Sequence, residues 1–453
     1  MTECTQTRFE FTAHFARSVV ADFQGGTLTS DGGALLLREA DRRIGLLRRL
    51  AACFTDFRLP ERCEHTVGEM VAQRVYGLAL GYEDLNDHEQ LRQDPLLGVL
   101  AGKRETGEPL ASASTLCRLE RTPQAGVERE RYCKVRYDAD AIDRLRVDVF
   151  LESQEEAPAE IVLDLDVTDT PLHGQQEGRF FHGYYDAYCY LPLYVFCGDQ
   201  LLGVRLREAN QDASAGCLRE VERIVGQMRA RWPEVRIVLR ADSGFCREEL
   251  LRWCEDHRVD YVIGLARNER LRKRIEKAVR KAAAAARRSG KSARAYTEFH
   301  YRTRSSWSRS RRVVAKAEQI AGKQNPRYVV TSLRAERWKP PELYERLYCA
   351  RGEMENRIKE QMHLFADRMS AETMRANQLR LYLSAAAYGL LEALRRLGLR
   401  GTEMARAQVS TLRVRLLKIG AQMRITARRV LVSFASGYPW QALFGHVWAV
   451  LRC

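Results

Sequence analysis

Three acidic residues have the types and the placement for phosphoryl-transfer chemistry. Asp166 closes the apolar run Ile161–Thr168, Asp242 closes a second run, Val235–Asp242, and Glu355 lies in Tyr348–Lys359, a segment that reads as helix. Carboxylates at the ends of buried strands, joined by one on a helix, can hold two divalent metal ions about 4 Å apart. The net charge of +15, from 74 Lys+Arg against 59 Asp+Glu, makes a nucleic acid the natural phosphodiester.

Side chains alternate along a strand, so Asp164 and Asp166 share a face, with Asp169 close by. Asp166 is preferred because it stands at the strand end. Each acid also has a plainer reading: turn or cap hydrogen bonding for Asp166, an N-cap ahead of Ser243-Gly244-Phe245 for Asp242, and an exposed i,i+4 pair with Lys359 for Glu355. Tyr348, Arg351, Glu355, Lys359 and Met362 recur at helical spacing and form one face. A face with an aromatic, cations and a carboxylate is poor core material and suits a metal ligand flanked by phosphate-binding groups.

The elements that must position these acids follow the order β-β-β-α-β-α-β. The first strand carries Asp166, and the runs Tyr188–Cys197 and Leu201–Leu206 follow, separated by the turn signal Gly198-Asp199. A helix over Ala213–Arg231 stops at Trp232-Pro233. The strand ending at Asp242, a helix over Arg247–His257 and the strand Tyr261–Leu265 complete the series. This order matches an RNase H-like α/β core, in which the first and fourth strands lie side by side and bring Asp166 to Asp242.

Around this core, residues 1–155 read as a helical N-terminal domain expected to bind DNA, with a packing layer as the equal alternative; it has a periodic stretch at Ala34–Ala52, a helix from Glu64 to about Leu80 and a capped start at Ser112 or Ser114. The core spans 156–369 and is interrupted by a basic insertion, 266–326. Within it, Arg267–Lys316 holds 18 Lys/Arg and three acids. Arg302, Arg304 and Arg311 are candidate phosphate contacts, and Trp307, among interleaved aromatics, is the candidate ring for an exposed base. A solvated basic face is the plainer reading. Residues 370–453 read as a mainly helical C-terminal or dimerisation region, with strand-like Leu412–Ile419 and Met423–Phe434 and a short helix after Pro439.

The 12 cysteines form no C-x-x-C pair and no zinc spacing. With no signal-peptide pattern in Met1–Gln6, free thiols in a reducing cytoplasm are expected. The apolar stretch Asn377–Leu399 carries Arg380, Glu392, Arg395 and Arg396, so it is expected to be a core helix and not a membrane span.

Asp166-Val167-Thr168, Asp242-Ser243-Gly244-Phe245 and the Y-x-x-R-x-x-x-E of Tyr348, Arg351 and Glu355 resemble the DDE transposases of bacterial insertion sequences, in the branch with a Y-R-E-K signature and of the DDE-domain group 1 type. Gly81–Asp87 and His182–Asp186 share in the resemblance. One position departs: the family lysine falls seven residues after the glutamate, where this chain has Met362, and Lys359 lies one turn earlier on the same face. The resemblance implies cut-and-paste transposition in the bacterial cytoplasm, at the nucleoid. It implies Asp166, Asp242 and Glu355 as the ligands of two Mg²⁺ ions, with Mn²⁺ as substitute, and Tyr348, Arg351 and Lys359 as phosphate contacts. The partners implied are double-stranded DNA, as terminal inverted repeats and target, and a second copy of the chain in a synaptic dimer. Cleavage through a hairpin, with Trp307 on a flipped base, belongs to the same expectation, ordinary packing being the plainer reading of that ring. A hydrolytic nuclease that does not join ends, and a DNA-binding protein without catalysis, are the competing readings.

Overall fold

A computed structural model describes residues 8–105, 107–122, 133–320 and 323–452. The expected reading of Met1–Gln6 falls outside these residues. The elements that concern the site are α1 (Val67–Leu80), α2 (Ala139–Glu152), β1 (Glu160–Val167), β2 (Leu193–Cys197), β3 (Gln200–Arg205), α3 (Cys217–Arg231), β4 (Arg236–Ala241), α4 (Glu248–Asp256) and β5 (Val259–Leu265). They are followed by α5 (Glu276–Ser289), β6 (Ala293–Tyr301), β7 (Arg311–Ile320), β8 (Arg327–Thr331), α6 (Gly352–Met362), α7 (Met374–Ala393) and α8 (Gln441–Arg452).

The strands form one mixed sheet in the order β3-β2-β1-β4-β5-β8-β7-β6. β1, β4 and β5 are mutually parallel at its centre, as helix-linked strands require. β2 and β3 are antiparallel neighbours on one side, and β8, β7 and β6 continue the sheet antiparallel on the other. The β-β-β-α-β-α-β order is therefore present, and β1 pairs directly with β4. The expected strand Tyr188–Cys197 is split at Leu191-Pro192: Ala187–Tyr190 joins a separate small sheet, and β2 begins at Leu193. Proline has no N–H for the ladder, which accounts for the break.

The basic segment does not stand apart from the core. β6 and β7 extend the central sheet, and α5 buries Ala278 and Ala282 in the same apolar cluster as β1, β4 and β5. The strand expected at Leu412–Ile419 is helical instead, over Val409–Leu412 and the continuing turn Arg413–Leu417. Val409, Leu412, Leu416 and Leu417 are buried at i, i+3, i+7 and i+8, a helical spacing that outweighs the short strand-like run. Met423–Phe434 is a hairpin of Ala421–Ile425 and Val430–Phe434.

Helices from the two ends of the chain share one core. α1 starts at a capping box, where the Thr66 hydroxyl accepts from Glu69 N and Glu69 accepts from Thr66 N. Its Met70, Val75 and Tyr76 lie in the same apolar cluster as Leu379, Leu383 and Leu391 of α7. The expected core helix at Asn377–Leu399 is α7 with its continuation Leu394–Gly398, and its charges are paired: Arg395 with buried Glu360 of α6, and Arg396 with Glu392. No helix among the described residues is long and apolar enough to cross a membrane.

Beneath the strand ends, Asp164 of β1 and Arg240 of β4 are register partners and both are buried. Arg240 donates to both carboxylate oxygens, at 2.5 and 2.6 Å, and with Nη1 to the carbonyl of Leu347 at 2.6 Å. Removing one partner of a buried pair leaves an uncompensated charge and costs about 3–5 kcal/mol. Arg240→Ala is therefore expected to lose stability on that scale in urea unfolding, and the Asp164→Leu/Arg240→Met double variant to recover most of it. A near-neutral Arg240→Ala would show that the pair does not hold the sheet.

Candidate active site

Parallel pairing of β1 with β4 aligns Ala241 with Leu165, so Asp166 and Asp242 stand one step further along adjacent strands. This is the juxtaposition expected from the sequence. Asp242 also caps the turn Ser243–Phe245, its Oδ1 accepting from Gly244 N at 2.8 Å. The plainer N-cap reading is thus true of one oxygen and compatible with a second role. Asp166 Oδ1 accepts from Val167 N at 3.0 Å, and Oδ2 takes Arg351 Nη1 at 2.6 Å. Burial pushes the Asp166 carboxyl up to about 6; Arg351 works against the rise and the charge of Asp242 adds to it. Asp164, the alternative on the same face, is consumed by Arg240.

Tyr348 and Arg351 reach this place on a distorted helical segment. Leu343–Tyr348 is a π-helical stretch and Cys349–Arg351 a 3₁₀ turn, leading directly into α6. Local widening and tightening of this kind are frequent at functional positions. The Arg240 bond to Leu347 O fixes the segment one residue before Tyr348. Gly264 on β5 provides the space: a Cβ there would lie 2.7 Å from the Tyr348 hydroxyl and 2.8 Å from Ser243 N. Burial raises the Tyr348 phenol, with Arg351 lowering it and Asp242 raising it further, so the hydroxyl sits among the site's charges. Neither Arg240 nor Gly264 stands out in the sequence as a site residue. An arginine inside an apolar strand run, in step with Asp164 on another, is the signal that points to the first.

Glu355 is not brought to Asp166 and Asp242. It stands on the solvent side of α6, its side chain 68% exposed, and pairs with Lys359 at 3.0 Å, whose hydrogen bond and charge hold the carboxyl below its usual range. This is the plainer reading noted for the pair. Met362, at the family lysine position, packs half-buried against the helical core, so the face shared with Lys359 turns inward there. Among the described residues no three His, Cys, Asp or Glu side chains lie together as a metal site. Asp166 and Asp242 by themselves suit a divalent cation: both are oxygen donors, and the burial and mutual repulsion that raise Asp166 are what a cation relieves.

Two expected DNA contacts in the basic segment are overturned. Trp307 is buried, edge-on to Tyr301 at 5.9 Å with the Arg311 guanidinium over its ring, so no base can reach it. Arg311 is also buried, between Glu248 and Glu255 of α4 at 2.6 Å each. Its place in β7 turns it toward that helix, a non-local pairing the sequence does not display. Arg302 and Arg304 belong to the loop that begins at the end of β6 and leads to β7, Arg304 exposed and Arg302 donating to the carbonyl of Trp307 at 3.1 Å. Lys277, Arg280, Lys281, Arg287 and Arg288 of α5 are all exposed.

A family model described as "Transposase DDE domain group 1" matches residues 11–453, nearly the whole chain. The protein therefore belongs to that family of DDE transposases, whose members generally use divalent metals and act on DNA. No curated protein matches the chain.

Because the folded-state pKa of Asp166 lies above the ordinary carboxylate value of 3.8, the stability it contributes is full below about pH 4 and lost as pH rises through about 6. A cation bound between Asp166 and Asp242 restores it by binding the native state. Millimolar Mg²⁺ or Mn²⁺ is thus expected to raise the melting temperature at about pH 8 and to lose that effect toward about pH 5, where protons compete. Asp166→Asn and Asp242→Asn should each abolish the shift, and an equal shift in either variant would place the cation elsewhere.

Proposed function

We propose that the protein is a DNA transposase that binds the terminal inverted repeats of its element and performs metal-dependent cleavage and strand transfer. The observation that carries this reading is the adjacency of Asp166 and Asp242 at the ends of neighbouring parallel strands, faced by Arg351. The strand order β3-β2-β1-β4-β5 supports an RNase H-like core. Glu355 is the proposed third carboxylate. Its pair with Lys359 is between highly exposed groups, where solvent screens the attraction, so the pair itself does little to hold the side chain outward; the direction of the face is set by the packing of Met354 and Ile358.

In this reading Asp166, Asp242 and Glu355 hold divalent cations, which when bound stabilise the charge developing on the phosphoryl oxygens. Arg351 and Tyr348 hold the phosphate beside the cut, the guanidinium as a charged donor and the phenol as a neutral one. Water attacks a backbone phosphorus first and breaks its bond to the 3′ oxygen, leaving a 3′ hydroxyl and a 5′ phosphate. That hydroxyl then attacks a phosphorus of the target strand, forming a new phosphodiester and releasing a target 3′ hydroxyl. Arg302, Arg304 and the exposed cations of α5 bind DNA backbone away from the acids. Two ends held together imply a homodimer. The outward Glu355 favours, as a second reading, a DNA-binding protein without catalysis.

The test is incubation with Mg²⁺, a donor carrying the element with its flanks, and a supercoiled target plasmid. Joined donor–target products are expected from the parent protein. Asp166→Ala, Asp242→Ala and Glu355→Ala should each lose cleavage, by at least about 100-fold, with end binding retained. Cut ends without joining would make the protein a nuclease. Binding with no cutting would support the second reading, and cleavage by Glu355→Ala would remove Glu355 from the site.

The α5 cations have their own measurement. Lys277→Gln, Arg280→Gln and Lys281→Gln together should weaken duplex binding and flatten its dependence on salt. The log–log slope should fall by about 0.9 for each phosphate that is no longer neutralised. An unchanged slope would mean that this helix faces solvent in the complex.

A further inference from the structure

The connection between β1 and β2 leaves the sheet beyond Val167 and returns at Leu193, and these two residues pair with each other. Tyr194, the next residue of β2, pairs with Asp166. Both ends of the connection thus flank the candidate site. Between them, Thr170–Pro171, Phe180–His182 and Ala187–Tyr190 make a small antiparallel sheet whose hairpin turns at Gly183–Asp186. Its base is fixed: Cys189, Tyr190 and Leu191 are buried, and Leu172 N donates to Tyr188 O at 2.8 Å.

The outer part of this hairpin is built from rings that face water. Phe180, Phe181, Tyr184 and Tyr188 are all exposed, Phe181 by 53% and Tyr184 by 85%. Phe181 lies edge-on to Tyr188 at 5.6 Å, and the Arg179 guanidinium lies 4.6 Å from the Tyr188 ring centre. Tyr184 meets Tyr185 at 5.0 Å, and the half-buried Tyr185 hydroxyl is in the field of Asp169 and Asp166. Tyr184 and Tyr185 thus lead from the hairpin tip toward the carboxylates, with the Phe181–Tyr188 pair on the same hairpin. An exposed apolar cluster of this kind marks a binding surface, not a packing requirement.

Its position selects the occupant. A duplex hides the faces of its bases in the stack, so within a DNA substrate the parts that can stack on rings here are bases that have left it. We propose that the hairpin 180–188 is a stacking site for unpaired bases beside the phosphate held at Asp166 and Asp242, with Phe181 and Tyr184 as its principal platforms. This rests on the reading of the protein as an enzyme of DNA. Stacking on an aromatic side chain tolerates any sequence, because every base has a π-face. Unlike backbone contacts, it adds nothing to the salt dependence of binding.

The experiment measures binding of the full chain, without divalent metal, to single-stranded oligothymidylate and to a blunt duplex of unrelated sequence by fluorescence anisotropy. The Phe181→Ala/Tyr184→Ala double variant is expected to lose roughly 5-fold or more in affinity for oligothymidylate. Its salt slope and its affinity for the duplex should be unchanged. Tyr184→Trp, which keeps a ring, should retain binding. Both rings are exposed, and thermal melts of each variant check that folding is intact. The proposal is overturned if the double variant binds oligothymidylate as the parent does, if the loss is equal for both probes, or if the parent does not bind oligothymidylate. A change in the mass of the assembly by sedimentation would assign the rings to a protein interface and overturn it equally. Because neither probe is cut, failure to cleave DNA bears on the proposed function alone, and an unchanged double variant bears on the stacking site alone.

Discussion

The buried pair of Asp164 and Arg240 is the interaction on which the rest of the site depends. It bridges two parallel strands one step of pleat below Asp166 and Asp242, and Arg240 spends a further donor on Leu347 O. The strand register and the position of the segment bearing Tyr348 and Arg351 are thus set by one guanidinium. A buried ion pair adds little net stability over an apolar pair of the same volume, because desolvation offsets the attraction. What it adds here is geometric definition. A planar fork with two bonds to one carboxylate and a third to a helical carbonyl is satisfied by one arrangement of sheet and helix.

That constraint also explains the state of Asp166. The residue sits half-buried above that pair, beside a second acid, with Arg351 as its partner. Burial and Asp242 push its carboxyl up, and the arginine moderates the push. The site is an electrostatically loaded place with Arg351 in the position of a counter-charge. The cations of the basic segment serve different ends. Arg311 and Arg312 are structural, bonded to Glu248, Glu255 and Glu298, whereas those of α5 project from a helix whose Ala278 and Ala282 are buried.

The order of the core elements and the meeting of Asp166 with Asp242 are legible in the sequence because both depend on local pattern: apolar runs closed by an acid, and strands alternating with helices. Glu355 and Lys359 are legible as neighbours on a helix, but not the direction their face takes, which follows from where Met354, Ile358 and Met362 pack. Trp307 and Arg311 mislead for one reason. Arg311 is buried by its pairs with Glu248 and Glu255 of α4, which lie far away in sequence, and Trp307 packs against Arg311 and Tyr301 in the same apolar cluster as that helix. The short run Leu412–Ile419 misleads through its period, since its apolar residues are spaced for a helix. Arg240 shows itself only as an oddity, a charge in a strand that has to be buried.

The shared core of α1 and α7 has a consequence for how the chain reaches this state. α1 is buried along nearly all its length, and much of the surface that covers it belongs to a helix about 300 residues later in the sequence. While the chain is being made, the first helices expose a broad apolar face, and the central sheet can assemble before that face is closed. Folding of the helical layer therefore waits for the last part of the chain to arrive. A product interrupted between Asp242 and α7 would hold both strand-end aspartates and still lack the helix that closes over α1, leaving a sticky, short-lived fragment and not a weaker form of the protein.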